Sequence, residues 1–155
     1  MSRSGYTDEF EDIGAANLYR ANVARAIAGK RGQAFLREMA TALDAMPVKE
    51  LVADEVVRDS AHVCAMGAVA LARKLDVSDL DVYNADEVAR ILGIAESLAR
   101  EISYENDECS PMHEKGPDGG WVRRPPETPA ERWQRMRKWV GEKQRRTESH
   151  PAKST

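Results

Sequence analysis

Apolar positions recur along this chain mostly at helical spacing, with two short stretches that break the period. Over residues 15–28, Ala16, Tyr19, Val23, Ala26 and Ile27 fall on one face, which predicts a helix closed by Gly29. Phe35, Met39, Ala42, Leu43 and Met46 predict a second helix, from Gly32 or Gln33 to Pro47. The link between them, residues 29–32, is short enough to force an antiparallel pair. Residues 51–57 are rich in β-branched side chains and residues 62–64 form a second extended stretch. With the polar Arg58-Asp59-Ser60 between them they predict a small β-hairpin, which must lie against helices to persist. Residues 65–74 read as a third helix of small residues. Gly67 within it costs about 1 kcal/mol against alanine, so another backbone is expected to approach there.

Residues 76–84 are acidic and irregular. A calcium loop would place Asp76, Ser78, Asn84 and Glu87 at ligand positions, but Leu80 offers no side-chain oxygen and Asp81 stands where the turn needs glycine. Asn84 instead caps a fourth helix, with Glu87 as reciprocal partner, Val88, Ile91 and Leu92 inward, and Gly93 as its end. A fifth helix is predicted over residues 95–104, with Leu98, Ala99 and Ile102 inward. Residues 109–127 form a Pro/Gly-rich loop longer than ordinary connections, and such loops are either functional or disordered. The last helix has a complete start signal in Thr128, Pro129 and Glu131. Trp133, Met136 and Val140 form its stripe, with Trp139 at the edge. The expected fold class is therefore mainly α: a compact helical domain of about six helices with a small two-stranded β-hairpin. The domain spans residues 13–143, between a polar start (1–12), disordered or loosely docked, and a disordered tail (144–155).

Composition narrows the setting. The 155 residues are 42% hydrophobic and 32% charged, a globular balance, with a net charge of −3. No apolar run follows Arg3, so no secretory signal is expected, and no stretch approaches the roughly 18 apolar residues of a membrane span. A cytoplasmic location follows as the expectation, with Cys64 and Cys109 as free thiols.

Several segments, in order, carry a resemblance: MSRSGY, GKRGQAFLREM, LDAMP, VCAMGAVALAR, LAREISYENDE and ETPAERWQRMRKWV. Together they resemble a family of small uncharacterised proteins encoded by tailed bacteriophages and prophages. The resemblance implies the cytoplasm of a bacterial host and supplies no catalytic or binding residue. The chain departs from that pattern in a longer loop after Glu108 and in Arg58-Asp59-Ser60-Ala61, where Asp-Gly is usual.

The chemistry-bearing residues do not assemble into an enzyme's pattern. Cys64 lies in an apolar run without a designed base beyond His62, and reads as a small buried hydrophobe. Cys109 and His113 supply two metal ligands where three or four are needed. No nucleotide-binding fingerprint follows a predicted strand. No catalytic residue, cofactor or metal is therefore expected. Residues 85–102 resemble a helix-turn-helix, with Ala89 at the contact and Gly93 at the turn. Glu96, Glu101, Glu105, Asp107 and Glu108 give the second helix the wrong charge for a phosphate backbone. Residues 121–146 hold nine basic and three acidic residues, a local +6 against −9 elsewhere. The expectation is a non-enzymatic protein that binds a host or phage protein through Arg135, Lys138 and Trp139 on the final helix. The alternative is a nucleic-acid-binding module using that basic helix or residues 85–102.

Overall fold

The structure is a computed structural model that describes residues 2–6 and 13–145. The rest of the expected polar start and tail lies outside the described residues. Six helices carry the fold: α1 (Ile13–Ala28), α2 (Lys30–Ala45), α3 (Ala65–Ala72), α4 (Ala85–Leu92), α5 (Glu96–Glu108) and α6 (Pro129–Lys143). Two antiparallel hairpins accompany them, β1 (Val57–Asp59) with β2 (His62–Val63), and β3 (His113–Lys115) with β4 (Trp121–Arg123). The fold class is as expected: mainly α with a small hairpin. The second hairpin was not foreseen. No described helix is long and apolar enough to cross a membrane.

Helix α2 is the centre of the core. Its stripe of Phe35, Leu36, Met39, Ala42 and Leu43 is buried, and it packs against α3 on one side and α6 on the other. Met66 and Val69 of α3, Leu98 and Ile102 of α5, and Met136 and Val140 of α6 complete that core without solvent contact. Helix α1 lies outside it, with Val23 its one buried residue. The local signals explain the helix ends. Asn84 Oδ1 accepts from the Glu87 amide (3.1 Å), and Gly93 closes α4 at φ 72°, a left-handed conformation that favours glycine. Thr128 and Glu131 form the reciprocal box that starts α6. Helices α4 and α5 pack on each other with Ala89 buried between them.

Strand β1 is shorter than the β-branched run suggests. Its predicted first half, residues 51–56, is stitched to three different partners. The Leu51 amide donates to Pro129 O and the Val52 amide to Val63 O, while Val56 O accepts from the Cys64 amide. Asp54 at φ 62° breaks the extended run in the middle. Helix α5 instead runs longer than predicted, through Glu108. Asn106 is buried and finds its partners inside the molecule. Beyond α6, the Arg145 amide donates to Gln33 Oε1 (2.7 Å), so residues 144–145 belong to the body rather than to the tail.

Gly67 has the close approach its cost required. A Cβ there would stand 1.9 Å from Val56 O, so α3 can meet the 51–56 segment only without a side chain. Gly67→Ala is expected to lower stability by about 1–3 kcal/mol through overpacking. Urea unfolding monitored by circular dichroism checks this, and an unchanged midpoint would contradict it.

Candidate interaction surface

The three residues expected to form a partner site on α6 do not share an exposed face. Trp139 is only 7% exposed and belongs to the core, while Trp133, expected to be the anchor, is half-buried with its Nε1 donating to Leu43 O (3.2 Å). Both tryptophans lie three residues from Met136, on opposite flanks of the stripe. Because α6 packs against both α2 and α5, it buries a wider face than one-sided packing would, and the Trp139 flank falls inside. Lys138 alone is open, 79% exposed, with Glu142 Oε1 at 3.9 Å.

Arg135 faces inward to a structural task. Its Nε and Nη2 donate to both oxygens of Glu127 (2.7 and 2.9 Å), Nη1 donates to Glu105 O, and Nη2 also reaches Asn106 O (3.2 Å). One guanidinium thus ties the C-terminal end of α5 to Glu127, the residue before the α6 cap. Other arginines of the segment are also paired: Arg132 with Glu127 and Leu51 O, Arg137 with Asp44, Arg124 with Glu114 and Glu131. Glu127, Glu131 and Glu142 are already counted in the segment's +6, and the rest of the described chain adds only Asp44 and Glu114, so these four arginines are paired while the segment keeps a basic surplus.

The start of the chain is docked at the same end of α5. Arg3 grips Asp107 through two bonds (2.7 and 2.6 Å), and both side chains are nearly free of solvent. Ser4 donates to Glu108, and the Tyr6 hydroxyl donates to Glu101. The expectation of a loose start does not hold for residues 2–6. Beneath them Cys64 is buried as expected, and it has a second role. Its Sγ caps α3 by accepting from the Gly67 amide (3.5 Å), with Arg3 Nη1 at 3.7 Å. Cys109 is half-buried, and burial followed by the charge of Glu105 pushes its thiol up to about 12. His62 bonds Asp59 on the hairpin and stands exposed. Among the described residues no three metal-ligating side chains converge.

Between the bolted ends of α5 and α6 projects the second hairpin, a finger. The turn is built by Gly116-Pro117-Asp118-Gly119-Gly120. Gly116 donates to Gly120 O, and Asp118 Oδ1 accepts from the Gly120 amide. The register pairs His113 with Arg123, Glu114 with Val122 and Lys115 with Trp121. Opposed side chains in an antiparallel pair share a face. One face therefore carries His113, Lys115, Trp121 and Arg123, and the other Glu114 and Val122. Arg124, bonded to Glu114 and to Glu131 of α6, fixes the Glu114 face to the body. The opposite face points outward. Trp121 is 68% exposed there, with Lys115 Nζ 4.5 Å from its ring centroid; on the Glu114 side Met112 at the root is 70% exposed and Val122 43%. Lys115 donates only to Gly119 O, and Arg123 makes no ion pair among the described residues. Both cations stay free of carboxylates. Residues 109–127, expected as a loop, thus hold a hairpin whose one local signal is the glycine-rich turn between HEK and WVR.

No family model, no curated protein and no solved structure matches this chain.

The exchanged roles of the tryptophans can be measured. Trp139→Ala is expected to cost about 3–5 kcal/mol, as for a buried aromatic, and Trp133→Ala less, about 1–3 kcal/mol. Chemical unfolding of the two variants checks the order, and the reverse order would contradict the placement.

Proposed function

We propose that this chain is a non-enzymatic accessory protein of a bacteriophage or prophage that acts in the cytoplasm of the bacterial host by docking the outward face of the finger on a host or phage protein. One observation carries the docking reading: an ordered hairpin holds Trp121 in water beside two cations with no carboxylate partner. A tryptophan held in water forgoes the free energy that its burial against a partner would supply. A tryptophan flanked by cations is a common centre of binding energy at protein interfaces. The phage setting rests on the sequence resemblance. A hollow of about 300 Å³ between α2, α3 and the first hairpin is also apolar, but alanines and aliphatic side chains line it and it presents no aromatic anchor.

Nucleic acid is the second reading, because a tryptophan between cations can also stack on a base. Charge favours a protein. The outward face offers two cations on a molecule of net charge −3, and the α6 arginines that would widen a phosphate track are paired within the chain.

Immobilised wild-type protein and variants, exposed to extract of phage-infected bacteria, test the reading. A defined protein should be recovered with wild type and with Lys138→Glu, and lost with Trp121→Ala and with Lys115→Glu. All variants should unfold within about 0.5 kcal/mol of wild type, as substitutions at exposed positions do. Recovery that nuclease abolishes, or oligonucleotide binding that falls steeply with salt, would contradict a protein partner.

A further inference from the structure

The finger has edges as well as faces. The flanking ladder bonds, Arg124 N–H to Met112 O and Gly116 N–H to Gly120 O, set the alternation. Residues 112/124, 114/122 and 116/120 are the hydrogen-bonded pairs. The backbone N–H and C=O groups of His113 and Lys115 therefore point away from β4, and those of Trp121 and Arg123 point away from β3. None of these groups finds a partner among the described residues. A two-stranded ribbon with both edges open is marginal on its own and is a template for another strand.

We infer that the open edge of β4 is a self-association site. Two copies pair their β4 strands antiparallel about a twofold axis through Val122, which joins the two fingers into a four-stranded sheet. The sequence Trp121-Val122-Arg123 is complementary to itself in this arrangement. Trp121 of one protomer lies opposite Arg123 of its partner, and the same contact repeats across the axis, as an isologous interface requires. Both residues already aim their backbone groups outward, so each opposed pair exchanges two N–H···O bonds, four in all. The guanidinium of one copy comes beside the indole of the other, a favourable cross-strand pair. Val122 meets Val122 at the axis on the other face.

The edge of β3 does not offer this. The equivalent pairing there places Glu114 against Glu114, like charges directly opposed, which is destabilising. Pro125 and Pro126 follow β4 and confine the pairing to three residues, so the association is weak and concentration-dependent. It uses the edge and leaves the outward face open. The dimer then carries two Trp121, two Lys115 and two Arg123 on one continuous surface. Edge pairing is independent of what that face binds.

Analytical ultracentrifugation of the full chain over a wide concentration range tests the pairing. Wild type should move from the 17.2 kDa monomer toward twice that mass as concentration rises. Arg123→Pro removes an outward N–H and leaves the hydrogen-bonded pairs of the finger intact. It should stay monomeric, while His113→Pro, which blocks the β3 edge, and Arg123→Lys should still dimerise. In a Cys109→Ser background, Val122→Cys should cross-link into a covalent dimer under mild oxidation, because non-hydrogen-bonded partners lie within disulfide range. Glu114→Cys should not cross-link. The cross-linking comparison holds even if the proline variant fails to fold. A wild type that is monomeric at every concentration, a dimeric Arg123→Pro, or cross-linking through residue 114 in place of 122 would overturn the inference.

Discussion

Asn106 is 1% exposed, and its side-chain amide is fully engaged. Oδ1 accepts from the Ala65 amide at the start of α3 (3.2 Å). Nδ2 donates to Val52 O (2.9 Å) and to the neighbouring Asp107 (2.8 Å). Asp107 in turn holds Arg3 and accepts from the Asp54 amide (3.2 Å). Two adjacent side chains at the end of α5 thus fix the chain start, the 51–56 segment and the entry to α3. Each is a buried polar group, so removing any one member leaves others unsatisfied in a dry site, a cost of about 3–5 kcal/mol where the Arg3–Asp107 pair is broken. This dependence explains why α5 runs on past Tyr104 through Asn106 and Asp107, two weak helix formers in an acidic stretch that opposes the dipole at a helix C-terminus. Tertiary bonds hold Asn106 and Asp107 in the last turn where intrinsic propensity would release them.

The same end of α5 controls the finger. The hairpin leaves α5 at Cys109 and returns to α6 at Thr128. Arg135 joins the two roots by bonding Glu105 O and Asn106 O on one side and Glu127 on the other. A two-stranded ribbon cannot fix its own direction, but one with clamped roots and Arg124 bonded to Glu131 can present a face. The residue expected to bind a partner therefore contributes one step further back, by positioning the segment that carries the exposed aromatic. The strongly basic composition of residues 121–146 has the same origin. Arg124, Arg132, Arg135 and Arg137 meet carboxylates within the folded chain, and Lys115 and Arg123 of the finger's outward face do not.

What the sequence made legible follows from which interactions are local. Helix starts were readable because caps are local: Asn84 with Glu87, and Thr128 with Glu131, sit three residues apart. The core stripes of α2 and α5 were readable from period, and the closeness at Gly67 from its cost in a helix. Reading failed where distant partners decide. Nothing near Trp139 or Trp133 in sequence says that α6 will lie between two helices and bury the other flank. Arg3 and Asp107 are 104 residues apart, so a start that looks like a solvated segment is a buried tie. Asp54 in a left-handed conformation, held by Asp107, turned a predicted strand into an irregular segment. The finger was missed for a different reason: proline and glycine dominate residues 109–127, and the three-residue strands between them are too short for periodicity to register.

The Arg135 clamp makes the finger an ordered display element. Native-state amide hydrogen exchange tests it most directly, comparing wild type with Arg135→Met. In wild type the Glu114, Val122 and Arg124 amides should be protected. In the variant they should lose about tenfold or more in protection while the amides of α2 and α3 keep theirs. Unprotected finger amides in wild type, or protection that survives the loss of the guanidinium, would contradict the account.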